Sequence, residues 1–263
     1  MSSSWNAARL EAGIAGTRFD GMVTHLPTTG STNTLALEAA QAGEPEGLVW
    51  VADEQTSGRG RGGHGWHSAA GDGLYVSVLL RPRMVLAEAL WLSLATGLAV
   101  QAAVDEVTGV TPDIRWPNDM MLNGRKFGGI LAETSASSAA LRYAVIGIGL
   151  NVQHATFPPE LREVATSLLL ETGHEWPRED LLAALLRALD REIAQLEASG
   201  ATLLERFSRA SSWARGMAVR VGEDDGQDGY TGVTAGLDAR GFLRVRADDG
   251  TLRTVLSGGV RPR

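Results

Sequence analysis

Three clusters of side chains have the types and spacing to act on an anionic, partly polar ligand. The first runs from Trp116-Pro117-Asn118-Asp119 to Asn123-Gly124-Arg125-Lys126-Phe127-Gly128-Gly129, and it holds the only lysine of the chain; the rest of the 24 Lys and Arg are arginine. An ammonium is a compact point charge, whereas a guanidinium is a planar fork that cannot sit in the angle between two oxygens of different groups. Taken alone, position 126 reads more simply as a stray lysine near a turn in an arginine-biased chain. The second cluster is the loop from Asp53 to Trp66, in which glycines let the backbone fold round a ligand while Arg59 and Arg61 face anionic oxygens. A solvated Arg/Gly turn or an RGG-like nucleic-acid contact is the alternative there. Gln55 beside it can donate and accept, which suits a neutral urea or amide. The third cluster, Ser31, Thr32 and Asn33, has the same double capacity, and capping of the following helix explains it equally well.

Several chemistries are excluded. Gly58, Gly60 and Gly63 formally satisfy GxGxxG, but the residues after them do not continue as a helix, and no acidic residue ends a second strand at the required distance. The sole lysine is outside any GK[ST] context, so there is no P-loop, and there is no GxSxG nucleophile elbow. His64 and His67 lack a third histidine nearby and read as polar loop residues. With no cysteine, thiolate nucleophiles, disulfides and Cys-based zinc sites drop out.

These clusters need a scaffold, and the pattern of the chain predicts an α+β one. A short helix follows residue 34, strands span 47–54 and 73–81, and an alanine-rich core helix spans 86–107. Further strands are expected at 113–121, 125–133 and 141–152, with Asn123-Gly124 as a hairpin turn that needs positive φ. Leu181, Leu182, Leu185, Leu186, Leu189, Ile193 and Leu196 lie at helical spacing within one or two helices over 177–204. After Trp213 come short strands separated by turns at Asp224-Asp225-Gly226, Arg240-Gly241 and Asp249-Gly250, which fit a β barrel of about 50 residues. The expected division is a partly mobile segment 1–21, a catalytic domain 22–212 and a small barrel 213–263.

The 263 residues, 44% hydrophobic, can bury a full core. A net charge of -7 argues against general phosphate-backbone binding, so no nucleic-acid partner is expected. The N-terminus lacks a secretory pattern, and the apolar stretch 89–104 is shorter than the ~20 residues of a membrane span. A cytoplasmic protein with no membrane partner is expected.

Taken in order, GSTN at 30–33, the 52–66 loop, GLYVSVLLRP at 73–82, WPND at 116–119, RKFGGIL at 125–131 and IGIGLNV at 146–152 resemble the biotin protein ligases. The resemblance runs from about residue 22 to the end, with GRGR, WPND and the lysine segment its most specific parts. It implies a mixed, largely antiparallel central sheet with flanking helices, of the class II aminoacyl-tRNA synthetase-like kind, plus a small SH3-like C-terminal barrel. The implied activity joins biotin to ATP as biotinyl-5′-AMP with release of pyrophosphate. Biotin then passes to a lysine of the biotin carboxyl carrier domain of a biotin-dependent carboxylase.

By the same resemblance Lys126 touches the biotin carboxylate and the α-phosphate, and Arg59, Gly60 and Arg61 belong to the loop that closes over biotin and the adenylate. Lys126, Arg61 and Asp119 are the implied catalytic residues. Gln55 with Ser31, Thr32 and Asn33 would hold the ureido ring, and Gly128 and Gly129 would allow close backbone approach. Asn118 and Asp119 fall near the nucleotide and Mg²⁺, with Asp119 a candidate metal ligand that either orients the incoming lysine or accepts its proton. Asn151 is expected at the nucleotide end, Trp66 over the adenylate, and Arg261 near the nucleotide. Family members often carry another basic residue where this chain has His64, and commonly a larger one at Gly62, so a freer loop with a larger ordering cost is expected here.

Some members repress transcription through an N-terminal helix-turn-helix domain. Residues 1–21 are too few for one, so the short form without sequence-specific DNA binding is expected. Lipoate or octanoyl ligases and transferases of the same fold, and a non-catalytic biotin sensor, are the rival readings; either a monomer or a homodimer is compatible with the resemblance.

Overall fold

The structure is a computed structural model that describes residues 5–222, 229–256 and 259–263. In chain order the elements are α1 (Ala7–Ile14), β1 (Val23–Thr29), α2 (Thr32–Ala42), β2 (Val49–Gln55), β3 (Gly73–Leu80), α3 (Ala89–Thr108), β4 (Asp113–Arg115), β5 (Asp119–Leu122), β6 (Arg125–Ser137) and β7 (Ala140–Asn151). They continue with α4 (Leu168–Thr172), α5 (Arg178–Ala198), α6 (Leu203–Ala210), β8 (Arg215–Gly222), β9 (Tyr230–Leu237), β10 (Leu243–Ala247), β11 (Leu252–Val255) and β12 (Gly259–Pro262).

A seven-stranded sheet in the order β1-β2-β3-β7-β6-β5-β4 forms the centre. Only β1 and β2 run parallel; every other pair is antiparallel. Because side chains alternate along a strand, each of the long strands has two separate tasks. Leu74, Val76, Val78 and Leu80 of β3 and Ile146, Ile148 and Leu150 of β7 enter the main core with α3 and α5. The intervening Leu79 and Val145 pack under Ala36 and Ala40 of α2 on the opposite face. Farther along that face Ser77 and Gly147 lie under the first turn of α2, at Thr32 and Asn33, and Gly149 beyond them lies under Trp66, and there the cleft opens.

Helix α3 is apolar all round because it is enclosed, with Leu92, Leu94, Ala95, Ala99, Val100 and Val104 buried in the core. Residues 86–108 are long and apolar enough to cross a membrane by length and composition, but here they pack between sheet and helix. The Leu-rich face expected over 177–204 is α5, and all seven of its periodic residues are buried. Asn123 and Gly124 adopt φ values of 46° and 79°, the paired positive φ expected of that hairpin.

Three features differ from the expected elements or add to them. Residues 113–121 are not one strand: the chain reverses at Trp116-Pro117-Asn118, and β4 pairs back on β5 with Arg115 opposite Asp119. A proline cannot donate to a ladder, so the chain turns there. The N-terminal segment packs against the main core where it is described. Leu10, Ile14 and Phe19 join the core, Asn6 N donates to Glu179 Oε1 at 2.6 Å, and Arg18 pairs with Asp190 at 2.7 Å. Strand β1, with no counterpart in the expected elements, forms the parallel edge.

Beyond Trp213 a five-stranded antiparallel sheet, ordered β11-β10-β9-β8-β12, stands where the small barrel was expected. Two of its turns are as expected: Gly241 and Gly250 have positive φ, and Asp238 Oδ1 accepts from Arg240 N and Phe242 N. The turn at Asp224-Asp225-Gly226 lies outside the described residues. The 240–241 turn of the C-terminal sheet is tied to the elements around α3 and β4 by Trp91 Nε1 donating to Arg240 O at 3.0 Å and Trp116 Nε1 donating to Gly241 O at 2.9 Å.

Candidate functional site

The cleft over β3, β7 and β6 encloses about 440 Å³ of space open to solvent. Its floor is made of glycines because no other residue leaves room. A Cβ at Gly147 would lie 2.2 Å from Asn33 Oδ1, and one at Gly149 would lie 2.5 Å from Trp66 Nε1. The Gly129 position likewise faces the Trp66 ring and Lys126. Gly128 is placed differently from the expectation: its missing Cβ points at Leu150 and Met120, so it serves core packing and does not line the cleft.

One wall is polar and already cross-linked. Gln55 Oε1 accepts from Thr32 N at 2.9 Å and Thr32 Oγ1 at 3.1 Å, while Gln55 Nε2 donates to Ser68 Oγ at 3.0 Å. Ser77 Oγ lies 2.8 Å from Thr32 Oγ1 and 2.5 Å from Asn33 Oδ1, and Asn33 Nδ2 donates to Glu133 Oε2 at 2.9 Å. Ser31 occupies the N-cap position of α2 but makes no capping hydrogen bond, and its Oγ is buried without a partner. A buried hydroxyl left open costs about 1–3 kcal/mol. Lining the cleft, Ser31 has a hydrogen bond to give or take there.

The loop closes over this wall. Trp66 N donates to Gly58 O at 2.9 Å and Gly60 N to His64 O at 2.7 Å, so residues 58–66 fold back on themselves. Gly62 has a φ of 70°, a conformation that larger residues enter only with strain. Arg59 pairs with Glu133 at 2.8 Å, and Arg61 lines the cleft.

Lys126 and Asp119 form the charged end. Lys126 Nζ lies 2.5 Å from Asp119 Oδ1 and 5.3 Å from the centre of the Trp66 ring. Arg115, which was not among the expected site residues, places Nη2 2.6 Å and Nε 3.1 Å from Asp119 Oδ2. Burial alone would raise the Asp119 carboxyl, but Lys126 and Arg115 together hold it below the usual carboxylate range. With one cation on each oxygen, the charge of Asp119 is already more than balanced and a divalent ion would be repelled, and the described residues contain no group of three His, Asp or Glu able to hold a metal. The residues present therefore do not fit the expected magnesium ligand at Asp119. The depressed carboxyl also makes it a poor acceptor for a lysine proton.

Asn118 lines the cleft while its Nδ2 donates to Ile130 O at 3.1 Å. Asn151 does not reach the cleft; its buried Nδ2 donates to Thr166 O at 3.0 Å. Thr166 N in turn donates to Lys126 O, and Lys126 N to Val164 O, so Asn151 steadies the backbone of the lysine from behind. Glu171 completes this brace by accepting from Asn123, Arg125 and Thr166. Arg261 lies on β12, away from the cleft lining.

The profile of the Biotin/lipoate A/B protein ligase family matches residues 26–151. A biotin--[acetyl-CoA-carboxylase] ligase of Mycobacterium tuberculosis is 39% identical over 237 residues, 88% of this chain and 85% of that protein. The chain belongs to the biotin protein ligases. A bifunctional ligase/repressor BirA of Bacillus subtilis is 35% identical over 222 residues, 84% of this chain and 68% of that protein. The structure of the Aquifex aeolicus biotin protein ligase in complex with biotin and ATP matches with a TM-score of 0.77 at 29% identity, over 92% of this chain and 99% of that one.

The sequence of this biotin protein ligase hides several residues that line the cleft or hold its lining in place. Gly147 and Gly149 carry a signal, the Gly-Ile-Gly alternation of a strand with one apolar and one bare face. Ser77, Ser68 and Glu133 carry none, because isolated polar residues in strands and loops acquire meaning only from the partners that the fold brings to them.

Proposed function

We propose that the cleft binds biotin along its polar wall and ATP at its charged end, activates biotin as biotinyl-5′-AMP, and passes it to a lysine of a carboxyl carrier domain. The observation that carries the reading is one cleft lined by both an unpartnered Ser31 hydroxyl beside the Gln55–Thr32 network and the lone Lys126 ammonium. In the first step a carboxylate oxygen bonds to the α-phosphorus as the bond to pyrophosphate breaks. Two unit charges 4 Å apart repel by about 4 kcal/mol at an effective dielectric near 20, which slows reaction roughly a thousandfold if uncompensated. Lys126 supplies the compensation, since a point cation can follow the charge as it moves onto phosphate, and Arg61 in the closing loop retains the adenylate once it has formed. In the second step the neutral amine of the carrier attacks the acyl carbon and AMP leaves. Asp119, held ionised, orients Lys126 through both steps.

Arg59 is released from Glu133 as the loop takes up the ligand, and Trp66 moves from its glycine bed to cover the adenylate. The domain division at residues 22–212 and 213–263 and a cytoplasmic setting, where ATP is at hand, belong to the same reading. The test is exchange of labelled pyrophosphate into ATP, with transfer to a carrier domain as its second half. Biotin-dependent exchange is expected. Exchange that depends on octanoate or lipoate, or biotin binding without exchange, would replace this reading with an acyl-ligase or a sensor.

A further inference from the structure

Asp119 is a junction of charges and of sheets. Its Oδ1 takes Lys126, its Oδ2 takes the fork of Arg115, and Arg115 faces it across the β4–β5 ladder. Arg115 has a second restraint, since its guanidinium carbon lies 5.6 Å from the centre of the Trp213 ring. Trp213 is buried in the 3₁₀ turn Ser212–Ala214 that leads into β8. That turn is fastened to β4: Ser211 Oγ donates to Ile114 O at 2.6 Å and Ser212 Oγ to Asp113 Oδ2 at 2.5 Å. Neither Arg115 nor Trp213 lines the cleft. One chain of contacts thus runs from the start of the C-terminal sheet through Arg115 and Asp119 to the lysine.

The charges give this chain a purpose. Two cations share one anion, so the cluster keeps one net positive charge. Without Arg115 the Lys126–Asp119 pair is neutral and draws an anionic substrate far less. A fork gripping one oxygen also fixes the carboxylate plane, so that the other oxygen holds Lys126 in one place. A lysine at 115 would bring the charge without fixing the plane.

We propose that Arg115, stacked on Trp213, is a positioning residue for acid activation: it anchors and half-neutralises Asp119 so that Lys126 faces the substrate carboxylate and the α-phosphate with the cluster's net positive charge. This rests on the adenylating function proposed above, and it gives the C-terminal sheet a part in the first chemical step.

The experiment measures kcat and both KM values of biotin-dependent pyrophosphate exchange across pH for the full chain and for Arg115→Met, Arg115→Lys, Trp213→Ala and Trp213→Phe, with thermal melts to establish that each is folded. Arg115→Met is expected to lose about 30-fold or more in kcat with its biotin KM within about threefold of wild type, the pattern of an interaction made in the transition state. Lys126 and Arg115 are the charged groups that face Asp119, so the acidic limb of the kcat profile moves to higher pH in Arg115→Met and stays in place in Arg115→Lys, which falls about tenfold in kcat. Trp213→Phe, which keeps a ring face for the guanidinium, recovers most of the kcat that Trp213→Ala loses.

Wild-type kcat in folded Arg115→Met, a loss confined to KM, or an unmoved acidic limb overturns the proposal. If Arg115→Met does not fold, full activity in Arg115→Lys overturns it instead. Trp213→Phe no better than Trp213→Ala removes the C-terminal sheet from it. Failure of the biotin reading shows separately, as wild-type exchange that needs octanoate or lipoate; the same variants are then compared with that acid.

Discussion

At Lys126 the difference between ammonium and guanidinium is geometric. Its Nζ sits between Asp119 Oδ1 and the face of Trp66, beside a glycine whose Cβ would lie 3.4 Å from it. A planar fork cannot take the place of a point charge between these groups, so Lys126→Arg is expected to lose adenylate synthesis by about 100-fold although the charge is kept, as read by pyrophosphate exchange. Full activity would refute that role. Arg61→Gly is expected to go on making adenylate but to release it, and free biotinyl-5′-AMP in the filtrate is the measurement. The bare floor gives a third prediction: a methyl at Gly149 would strike Trp66, so Gly149→Ala should weaken biotin or nucleotide binding about tenfold by calorimetry, with little change in melting temperature. Ser31, Thr32, Asn33 and Gln55 were legible from their donor and acceptor capacity, and in the structure all four line the cleft. Arg115 was not, because one arginine among many shows its use only when a strand reversal brings Asp119 opposite it.

Helix α1 shows how an element escapes notice. Ala7, Leu10 and Ile14 fall at helical spacing, but the run is short and contains Gly13. The structure explains that glycine: a Cβ there would come within 2.7 Å of Ala183 Cβ on α5, so Gly13 is what lets the two helices close. Ile14 is fully buried in the core, and Ile14→Ala is expected to cost about 3 kcal/mol in urea unfolding. An unchanged midpoint would mean that α1 is not docked. By contrast α5 and the Asn123-Gly124 turn between β5 and β6 were legible, since the periodicity of the one is long and the turn chemistry of the other explicit. The break between β4 and β5 was masked by apolar Met120, Met121 and Leu122, which read as a continuation of the preceding strand.

Across the whole molecule, the buried ionisable groups set how acid affects it. His154 has no exposed surface, stacks on Phe157, and lies 3.4 Å from the Tyr75 hydroxyl. Burial lowers it to about 4 from 6.5, so the folded state binds that proton less readily than the unfolded chain. Its neutral form costs nothing above about pH 6.5, and stability is lost as pH falls from there toward 4. Between pH 7 and pH 5 the loss from this group is about 2 kcal/mol, and a His154→Gln variant with the same pH dependence as wild type would exclude it. The ion pair at the heart of the cleft has a different consequence, because its ammonium is the only side-chain amine in 263 residues. An acylating reagent has one internal target and reaches it only when the Asp119 contact opens. Labelling of the peptide carrying Lys126 is therefore a chemical clock for that opening, slowed by any occupant of the cleft and readable from a single mass increment.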